Sequence, residues 1–407
     1  MEPKIRFKGF EGEWKTPSIG EVFELRNGYT PSKAVNEFWE GGTIPWFRME
    51  DIRTNGGILK DAIQHITPLA VKGAGLFEKN SIILATTATI GVHAMLIADS
   101  LANQQFTNFR VRKSLSDSYI DNFLYYSFFN IDEWSKKNTN SGGLLSVNMP
   151  LLVKQPLYSP CKQEQQAIAS YFTSLDSQIS ASTSRLASLK QMKAASLQAM
   201  FPQEGETVPK IRFKGFEGEW KTCPLYHFAK KRIEKNTKML YNITLTNSAE
   251  FGIIDQRNFF DHEISNSENI NGYYVVRDHD FVYNPRISSS APVGPINQNK
   301  LGYTGVMSPL YLVFEINGIN RDFLEIFFHT TLWHKYMFDN GNTGARFDRL
   351  AISDEDFMKM PIPDIDIEEQ QAIANYFTSL DRQISLQSQR LEKLKQIKSA
   401  CLDKMFV

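Results

Sequence analysis

Two stretches of this chain are each present twice, and this repetition constrains the fold more than any other feature of the sequence. The segment PKIRFKGFEGEWKT occupies residues 3–16 and recurs without a difference at 209–222. A second segment, at 164–201, recurs at 369–406 with 25 identical residues among 38 aligned positions. The offsets are 206 and 205 residues in a chain of 407, so the chain consists of two half-chains. Repeated segments indicate repeated structure, and we expect two halves with pseudo-twofold symmetry.

The repeated 38-residue segment predicts a long helix in each half. Its apolar residues are spaced by three, four and seven positions, which marks one face of a helix with a partial heptad pattern. These residues are Phe172, Leu175, Ile179, Leu186 and Leu189 in the first copy, and Phe377, Leu380, Ile384, Leu391 and Leu394 in the second. At 1.5 Å per residue, each helix would be about 57 Å long. Ser159 with Pro160 predicts the start of the first helix, and Asp366 with Glu369 forms a capping-box pattern at the second.

The apolar face of each helix needs a partner, and two arrangements satisfy it. In one, the two copies pair as an antiparallel coiled coil, which suits two equal halves that pack through the same surface. In the other, each helix lies separately on its own domain. We favour the coiled coil because an antiparallel pair places the two unlike segments at opposite ends of a rod.

Between the repeats lie two long segments that do not resemble each other. Each contains β-type runs, such as SIILATTATIGVHAMLI and GYYVVRDHDFVYNP, then a helical run at 119–134 or 321–338 and a polar, Gly-bearing loop. Each predicts a mixed α/β domain, and the fold class is α+β. The expected boundaries are a lead-in at 1–16, a first domain at 17–160, a first helix at 161–201, a linker and repeated lead-in at 202–222, a second domain at 223–363 and a second helix at 364–407. Phe7, Phe10 and Trp14 of the lead-in are expected to pack against the ends of the helices.

Composition places the chain in an ordinary class. The hydrophobic fraction is 42% and the charged fraction 22%, which is typical of a globular chain with buried cores. The N-terminus lacks the apolar region of a secretory signal, and no apolar run approaches the ~18 residues of a membrane span. The 3 cysteines are widely spaced, which indicates a reducing compartment without disulfides. We therefore expect a cytoplasmic protein with no membrane partner.

Catalytic and metal-binding signatures are absent from the sequence. It contains no P-loop, no GxSxG, no HExxH and no CxxC, and the 7 histidines do not cluster at ligand spacing. The adenine methyltransferase motif NPPY is also missing, since YNPRIS at Tyr283 lacks its second proline. We expect no catalytic residue, no metal site and no cofactor on this chain.

Both unlike segments instead carry residue types that DNA-binding proteins use to recognise bases. Arg reads guanine, Asn and Gln read adenine, and hydroxyl groups are versatile in the major groove. The candidates in the first segment are Thr86, Thr87, Thr89, Gln104, Gln105, Lys136, Lys137, Asn138, Asn140 and Ser141. The candidates in the second are Arg286, Ser288, Ser289, Asn297, Arg346 and Arg349. Loops of any function use such residues, but both segments place them at corresponding positions, which favours a role in recognition.

The layout resembles a known family along the whole chain. The residues that carry the resemblance are IPWFRMEDI at 44–52, NSIILATTATIG at 80–91, IPDIDIEEQQAIANYFTSLD at 362–381 with its twin ending EQQAIASYFTSLD, and RFKGFEGEW at the start of each half. They are similar to the specificity (S) subunits of type I restriction–modification systems. The helix opening EQ…I…F…LD, present twice at half-chain spacing, is the most specific of these signals. The second domain departs from the family pattern, because YNITLTNSAEFGII stands where IPWI is usual.

The resemblance implies a function and a set of partners. In this family, two target recognition domains each read one half of a bipartite DNA site, and two helices pair into an antiparallel coiled coil that spaces them. The S subunit is not itself catalytic. It carries two methyltransferase (M) subunits, which modify adenine with S-adenosylmethionine, and optionally restriction (R) subunits, which use ATP and Mg²⁺. Two unlike domains imply an asymmetric bipartite site in double-stranded DNA.

Two other functions remain open at the level of sequence. The chain could be a DNA methyltransferase or nuclease in its own right, or a coiled-coil adaptor whose β domains bind other ligands. Charge also bears on the function: 17–160 contains 13 basic and 13 acidic residues, and 223–363 contains 14 and 16. Since phosphate contacts need basic residues, we expect the isolated chain to bind DNA weakly, with the M subunits supplying further contacts.

Overall fold

The computed structural model describes residues 2–140, 143, 145–258, 267–342 and 348–407. The chain forms two compact units. Unit 1 consists of Met1–Thr183 together with Gln389–Val407, and unit 2 of Ser184–Ser388. Each unit therefore contains one unlike segment and a part of both long helices.

Unit 1 is built on two small sheets and a helix of 17 residues, α3 (Asp121–Lys137). Its elements before α5 (Lys162–Ala199), the first of the two long helices, are α1 (Ile19–Val22), β1 (Phe23–Asn27), β2 (Ile44–Phe47), α2 (Met49–Asn55), β3 (Ile58–Leu59), β4 (His65–Ile66), β5 (Ile82–Ala85), β6 (His93–Leu96), β7 (Leu101–Ala102), β8 (Phe106–Val111), α3 (Asp121–Lys137), β9 (Thr139–Asn140), β10 (Ser146–Val147) and α4 (Met149–Leu152). One sheet has the strand order β1-β8-β5-β6-β3, and another the order β4-β2-β7. The strands β5 and β6 are buried on both faces, because apolar clusters cover each side of the larger sheet.

Unit 2 has smaller sheets and shorter helices. Its elements are β11 (Lys221–Pro224), β12 (Ala229–Lys231), β13 (Leu245–Ser248), β14 (Gly252–Asp255), β15 (Tyr274–Val276), β16 (Phe281–Tyr283), β17 (Ile296–Gln298), β18 (Gly305–Met307), β19 (Leu312–Ile316), α6 (Arg321–Phe328), α7 (His334–Asn340), α8 (Asp354–Met358) and β20 (Pro361–Asp364). The largest sheet has the order β12-β19-β16-β17, and β13 pairs with β14 as a hairpin. An aromatic-rich core lies between this sheet and the helices.

The helical run predicted at 321–338 is wrong as a single run, because it divides into α6 and α7. Two side chains bind backbone carbonyl groups in the last turn of α6. The Thr330 hydroxyl donates to the Phe327 carbonyl over 2.7 Å. The Trp333 indole N–H donates to the Phe328 carbonyl over 3.1 Å. These bonds satisfy carbonyls that a longer helix would have used, so the helix ends there.

Asn320 caps the start of α6, and its removal gives a testable stability change. Its Oδ1 accepts the Phe323 backbone N–H over 3.0 Å, and its Nδ2 donates to Gln371 Oε1 over 2.8 Å. We expect Asn320→Ala to lower the free energy of unfolding by about 1 kcal/mol, the usual effect of losing an N-cap. Asn320→Ser should restore most of the loss, since serine caps as well as asparagine. Urea denaturation of the full chain measures both, and equal losses in the two variants would contradict the capping role.

The two long helices are α5 (Lys162–Ala199) and α9 (Ile367–Met405). Both predicted helices are thus confirmed, with ends that lie within three residues of the expected boundaries. The predicted start at Ser159 is wrong, because Ser159 pairs with Lys15 in an antiparallel bridge and the first turn opens at Cys161, whose carbonyl accepts the Gln165 N–H. The predicted capping-box role of Glu369 is also wrong, since this carboxylate binds Arg212.

The apolar face of the long helices is buried as its spacing predicts. The buried members are Phe172, Leu175, Leu189, Phe377, Leu380 and Leu391. Ile179, Leu186, Ile384 and Leu394 are half-buried. The stripe residues are therefore the covered face of each helix.

In both units, early residues of one long helix contact late residues of the other. In unit 1, Lys398 Nζ lies 2.6 Å from Asp176 Oδ1, and the Tyr171 hydroxyl lies 3.4 Å from the Sγ atom of Cys401. The repeat places the corresponding residues of unit 2 together in the same way. Lys193 Nζ lies 2.6 Å from Asp381 Oδ1, and the Tyr376 hydroxyl lies 2.8 Å from Ser196 Oγ.

Glu164 and Gln165, at the start of α5, join three parts of unit 1. The guanidinium of Arg6 donates two hydrogen bonds to the Glu164 carboxylate, over 2.7 and 2.8 Å, and a third to the Gly12 carbonyl over 2.7 Å. Gln165 Oε1 accepts the backbone N–H of Ile120, at the start of α3, over 3.0 Å. The glutamate thus fixes the lead-in, and the glutamine fixes the first domain.

Unit 2 forms the same contacts at the start of α9. Arg212 donates two hydrogen bonds to the Glu369 carboxylate, over 2.7 and 2.8 Å, and one to the Gly218 carbonyl over 2.6 Å. Gln370 Oε1 accepts the backbone N–H of Asn320, at the start of α6, over 2.8 Å. We call the two ion pairs, Arg6 with Glu164 and Arg212 with Glu369, the arginine clamps.

Each lead-in also packs a buried tryptophan onto a phenylalanine within two residues of the end of a long helix. In unit 1 the ring centroids of Trp14 and Phe406 are 6.5 Å apart. In unit 2 the centroids of Trp220 and Phe201 are 5.6 Å apart. The expectation that Trp14 packs against a helix end is therefore confirmed, and the clamp and the tryptophan give Arg6 and Trp14 the same structural roles as their counterparts in the second half.

Candidate nucleic-acid interface

Three loops of unit 1 meet beyond the end of β5. The backbone N–H of Thr86 donates to the Gln105 carbonyl over 2.9 Å, and the Val147 N–H donates to the Thr86 carbonyl over 2.8 Å. Thr87 forms an isolated bridge with Ser146. Backbone pairing therefore brings together predicted residues that are far apart in sequence, from the loops near 87, 105 and 140.

The side chains of these loops differ in how freely they can reach a ligand. Thr86 is buried, and its hydroxyl lies 2.9 Å from that of Thr107. The Asn138 amide donates to the Trp134 carbonyl over 2.8 Å, and Lys136 pairs with Glu133 over 2.6 Å. Residues of the predicted set with exposed or half-buried side chains are Thr87, Thr89, Gln104, Gln105, Lys136, Lys137, Asn138 and Asn140. Ser141 lies outside the described residues.

Two arginines stand opposite each other in unit 2. Arg286 and Arg349 are paired in an antiparallel bridge, although 63 residues separate them in the chain. Asp348 lies between their side chains, with its Oδ2 atom 3.9 Å from the Nε atom of each arginine. One carboxylate thus faces two guanidinium groups, so the three side chains together carry a net positive charge.

Both arginines line a cleft between the β13–β14 hairpin and the loop after β16. Its other lining residues are Thr244, Leu245, Thr246, Asn247, Ser248, Ala249, Gln256, Tyr273, Asn284, Pro285, Ile287, Ser288, Pro295, Ser308, Leu310 and Tyr311. We call this the arginine cleft. Among these lining residues the only charged side chains are the two arginines, whereas the predicted second domain has two more acidic than basic residues. The cleft is thus a cationic, polar surface in an otherwise slightly acidic domain, which suits a nucleic acid.

The remaining predicted residues of the second domain take different places. Ser288 lines the arginine cleft with its hydroxyl 3.1 Å from that of Ser290, and Ser289 is exposed. Asn297 is buried, and its amide donates to Asn247 Oδ1 over 2.7 Å, so it binds the β13–β14 hairpin from inside the domain. Arg346 lies outside the described residues.

Sequence reasoning missed Gln256, Thr246 and Tyr311, which also line the cleft. Gln256 is placed by the hairpin, because its N–H donates to the Thr244 carbonyl over 2.9 Å. The hydroxyls of Thr246 and Tyr311 lie 3.1 Å apart. The alternation of LTNS in β13 was the available signal, since it places Thr246 and Ser248 on the less buried face of the strand.

The carboxylate beside Gln256 is kept ionised and paired. Burial alone would raise the pKa of Asp255, but hydrogen bonds from the backbone and side chain of Arg257 outweigh it, and the pKa lies below its ordinary value. Arg257 Nη2 lies 3.1 Å from Asp255 Oδ2. Because this charge is paired beside the cleft, it weakens the positive field of the arginines less than a lone carboxylate would.

The described residues contain no group of three or more His, Cys, Asp or Glu side chains that could hold a metal ion. Among the same residues, every helix is too short or too polar to traverse a bilayer.

The first part of the chain is similar to a known protein family. Residues 11–191 match the family model for the type I restriction modification DNA specificity domain. This part of the chain is similar to that domain. The predicted resemblance is thereby confirmed for residues 11–191, which contain the first set of predicted DNA-binding residues and most of α5.

Curated relatives of this chain bear matching names. The type I restriction enzyme EcoprrI specificity subunit of Escherichia coli is 48% identical over 153 residues, which are 38% of this chain and 38% of that protein. The MjaIX specificity subunit of Methanocaldococcus jannaschii is 30% identical over 171 residues, 40% of this chain and 38% of that protein. The matches thus span 38% of the length of each relative.

Solved structures share the fold over the whole chain. The S subunit of a type I restriction–modification system from M. genitalium has a TM-score of 0.57 and 13% identity, and the alignment covers 100% of this chain and 99% of that one. A chain from a structural study of complex assembly and conformational transition in the type I R-M system has a TM-score of 0.54 and 16% identity, over 97% and 98%. The mixed α/β fold with long helices is therefore that of type I S subunits.

Proposed function

We propose that the chain is the DNA-recognition subunit of a type I restriction–modification system. One observation carries this proposal. The second half of the chain lies outside the family match, yet it forms the same contacts between lead-in, long helix and domain as the first half. Arg212, Glu369 and Gln370 repeat the contacts of Arg6, Glu164 and Gln165 at nearly equal distances. A second specificity domain, with different loops, then follows from the same framework.

The two long helices are proposed to form one antiparallel coiled coil with pseudo-twofold symmetry. Contacts between early residues of one helix and late residues of the other support this in each unit, through Asp176 with Lys398 and Asp381 with Lys193. Ion pairs flanking an apolar seam are usual in coiled coils. The length of this pair would set the spacing of the two half-sites.

The two domains are proposed to read different sequences in double-stranded DNA. The first presents hydroxyl, amide and lysine side chains, whereas the second presents two arginines in the arginine cleft. Different side chains favour different bases, so the site should be asymmetric and bipartite. The balanced charge of both domains supports weak binding by the isolated chain.

The chain is proposed to act without catalysis or cofactors of its own. Two methyltransferase subunits would bring S-adenosylmethionine, and restriction subunits, where present, would bring ATP and Mg²⁺. The fold shared with a chain from a study of type I complex assembly supports such partners. A cytoplasmic location follows from this role.

Methylome sequencing tests the proposed function. The chain is co-expressed with the methyltransferase subunit of its system, and long-read sequencing maps methylated adenines, with cells that express only the methyltransferase subunit as the control. We expect one asymmetric bipartite motif that depends on this chain.

Other outcomes of the same design favour other functions. A palindromic motif would contradict two unlike readers, and no motif at all would favour an adaptor of other ligands. Transfer of labelled methyl groups to DNA by the purified chain alone would favour a methyltransferase.

A further inference from the structure

A strained turn joins β5 to β6 and carries three of the residues predicted to bind DNA. We call residues 86–92, which include Thr86, Thr87 and Thr89, the threonine turn. Ala88, at its tip, has a φ angle of 62°, in the left-handed region that residues other than glycine rarely adopt. Such strain persists only where the surrounding structure fixes the backbone, and it is concentrated at functional sites. The contacts that fix this turn therefore bear on its function.

A later loop of the domain holds one side of the threonine turn. The Ala88 N–H donates to the Leu145 carbonyl over 3.1 Å, and Thr87 bridges Ser146. Both contacts involve the backbone and lie in the first half of the turn. They fix its tip against the segment that leads into β10.

Helix α3 holds the other side of the turn. Gly91 has a φ angle of 71°, and a Cβ atom added to it would lie 2.5 Å from the Asp132 carbonyl oxygen and 2.7 Å from Lys136 Cγ. Glycine suits this position both by its conformation and by its lack of a side chain. Two residues further on, His93 begins β6, and its Nδ1 atom lies 2.6 Å from Oδ2 of Asp132.

His93 and Asp132 form a buried pair between the sheet and α3. Their side chains are 2% and 10% exposed, and the rings of Tyr125 and Phe129 lie 4.9 and 4.7 Å from the imidazole. Since a carboxylate only accepts hydrogen bonds, the Nδ1–H group is the donor. In the described part of the chain, neither Nε2 of His93 nor Oδ1 of Asp132 has a hydrogen-bond partner. Each of these side chains thus depends on the other.

A buried pair of this kind contributes direction more than stability. A well-packed apolar pair is often at least as stabilising as a buried ion pair. A hydrogen bond, in contrast, forms only within a narrow range of distances and angles. The bond between His93 and Asp132 therefore fixes the start of β6, and with it the threonine turn, at one position along α3.

We propose that His93 and Asp132 are positioning residues for DNA recognition: together they hold the threonine turn against α3 and so fix which bases of the first half-site its hydroxyl groups meet. This inference rests on the proposed function. The last turn of α3 carries Lys136 and Lys137, which are also predicted to bind DNA. Because the pair fixes the threonine turn relative to α3, the hydroxyl groups and the lysines are presented to DNA as one surface.

Two substitutions of His93 test the proposal. The amide N–H of asparagine lies close to the position of the imidazole Nδ1–H, whereas that of glutamine lies farther from the backbone. His93→Asn should therefore keep the bond to Asp132, and His93→Gln should lose it. Each variant is assembled with the methyltransferase subunit, and methylation rates are measured on the site found by methylome sequencing and on sites with one changed base.

The two variants should differ in how they discriminate between bases. A wrong base in a specific site usually weakens binding about 10- to 100-fold. We expect His93→Gln to lower this discrimination about 10-fold at bases of the first half-site, whereas His93→Asn should stay within about 3-fold of the unaltered chain. Discrimination at the second half-site should not change in either variant, because the pair lies in unit 1.

A second variant tests the same contact without altering the buried pair. Gly91→Ala adds a Cβ atom that pushes the threonine turn away from α3. It should also lower discrimination at the first half-site, and it provides the test if His93→Gln does not fold. Retained discrimination in Gly91→Ala would overturn the proposal.

Ser81→Ala is the matched control for a loss of stability alone. Ser81 is buried just before β5, at the end of that strand away from the threonine turn, and its hydroxyl accepts the Asn108 amide over 2.8 Å. This variant should be less stable in urea and yet discriminate between bases as the unaltered chain does.

The remaining outcomes separate positioning from structure. If His93→Gln slows methylation of all sites in equal proportion, or if His93→Asn loses discrimination as fully as His93→Gln, the positioning role is overturned and the proposed function stands. If the unaltered chain directs no methylation to any site, the proposed function itself is overturned.

Discussion

Replacing Arg6 by methionine should lower the free energy of unfolding of unit 1 by about 2 to 4 kcal/mol, since it leaves a buried carboxylate without its partner. The side chain of Glu164 is 1% exposed and that of Arg6 is 15% exposed. The hydrogen bonds to Glu164 raise the pKa of Arg6 above its ordinary value, so the arginine is charged across the usable pH range. Arg212→Met should have the same effect in unit 2, where the exposures are again 1% and 15%.

Three variants control for this result. Glu164→Gln should destabilise the chain less than Arg6→Met, because a neutral amide is buried at lower cost than a lone carboxylate. Lys359→Met breaks a solvent-exposed ion pair with Glu355 and should leave the urea midpoint unchanged. Arg6→Lys keeps the charge but not the two parallel hydrogen bonds, and should recover only part of the loss. An Arg6→Met variant as stable as the unaltered chain would contradict a stabilising role for the clamp.

The double variant Arg286→Ala, Arg349→Ala should reduce methylation of the target site about 10- to 100-fold, given the 1 to 3 kcal/mol that one good arginine contact with a base contributes. If the arginines bind phosphates instead, the salt dependence of DNA binding should become shallower by about two counterions. Methylation rates and binding isotherms at several salt concentrations, measured on the assembled complex, distinguish the two modes.

The methylated sequence motif shows which of the two domains the substitutions affect. The half-site read by the first domain should keep its sequence, because Arg286 and Arg349 lie in unit 2. Arg277→Ala is the matched control, since Arg277 is an exposed arginine of the same unit that pairs with Glu234 outside the cleft lining. Equal losses in the control and the double variant would contradict a role for the cleft in reading DNA.

The long helices were predictable because their pattern is local and repeated. Spacings of three, four and seven residues mark one face of the helix, and the same spacings recur in the second copy. The start of α5 was not predictable at the same level. Ser159 has the chemistry of a cap, but a bridge with Lys15, far away in sequence, uses its backbone instead.

The candidate site also contains residues that the sequence predicts and residues that it does not. Residue type alone selected Arg286 and Arg349, and the bridge between them places both in the arginine cleft. Gln256 was missed because its place depends on the register of the β13–β14 hairpin. Asn297 was selected for its amide, but a neighbouring asparagine binds that amide inside the domain. A sequence shows which groups are available, whereas contacts between distant segments decide which of them face outward.

The composition of the two units has a consequence for synthesis on the ribosome. Unit 2 is one continuous stretch, Ser184–Ser388, and all of its residues have been made when the ribosome reaches Ser388. Unit 1 also needs Gln389–Val407, whose Met405 and Phe406 belong to the same core as Trp14. Contacts between such distant residues form slowly, and domains generally fold as units during synthesis. The first unit to begin is therefore the last to be completed, and its nascent form exposes an unfilled core for as long as the second unit is being translated.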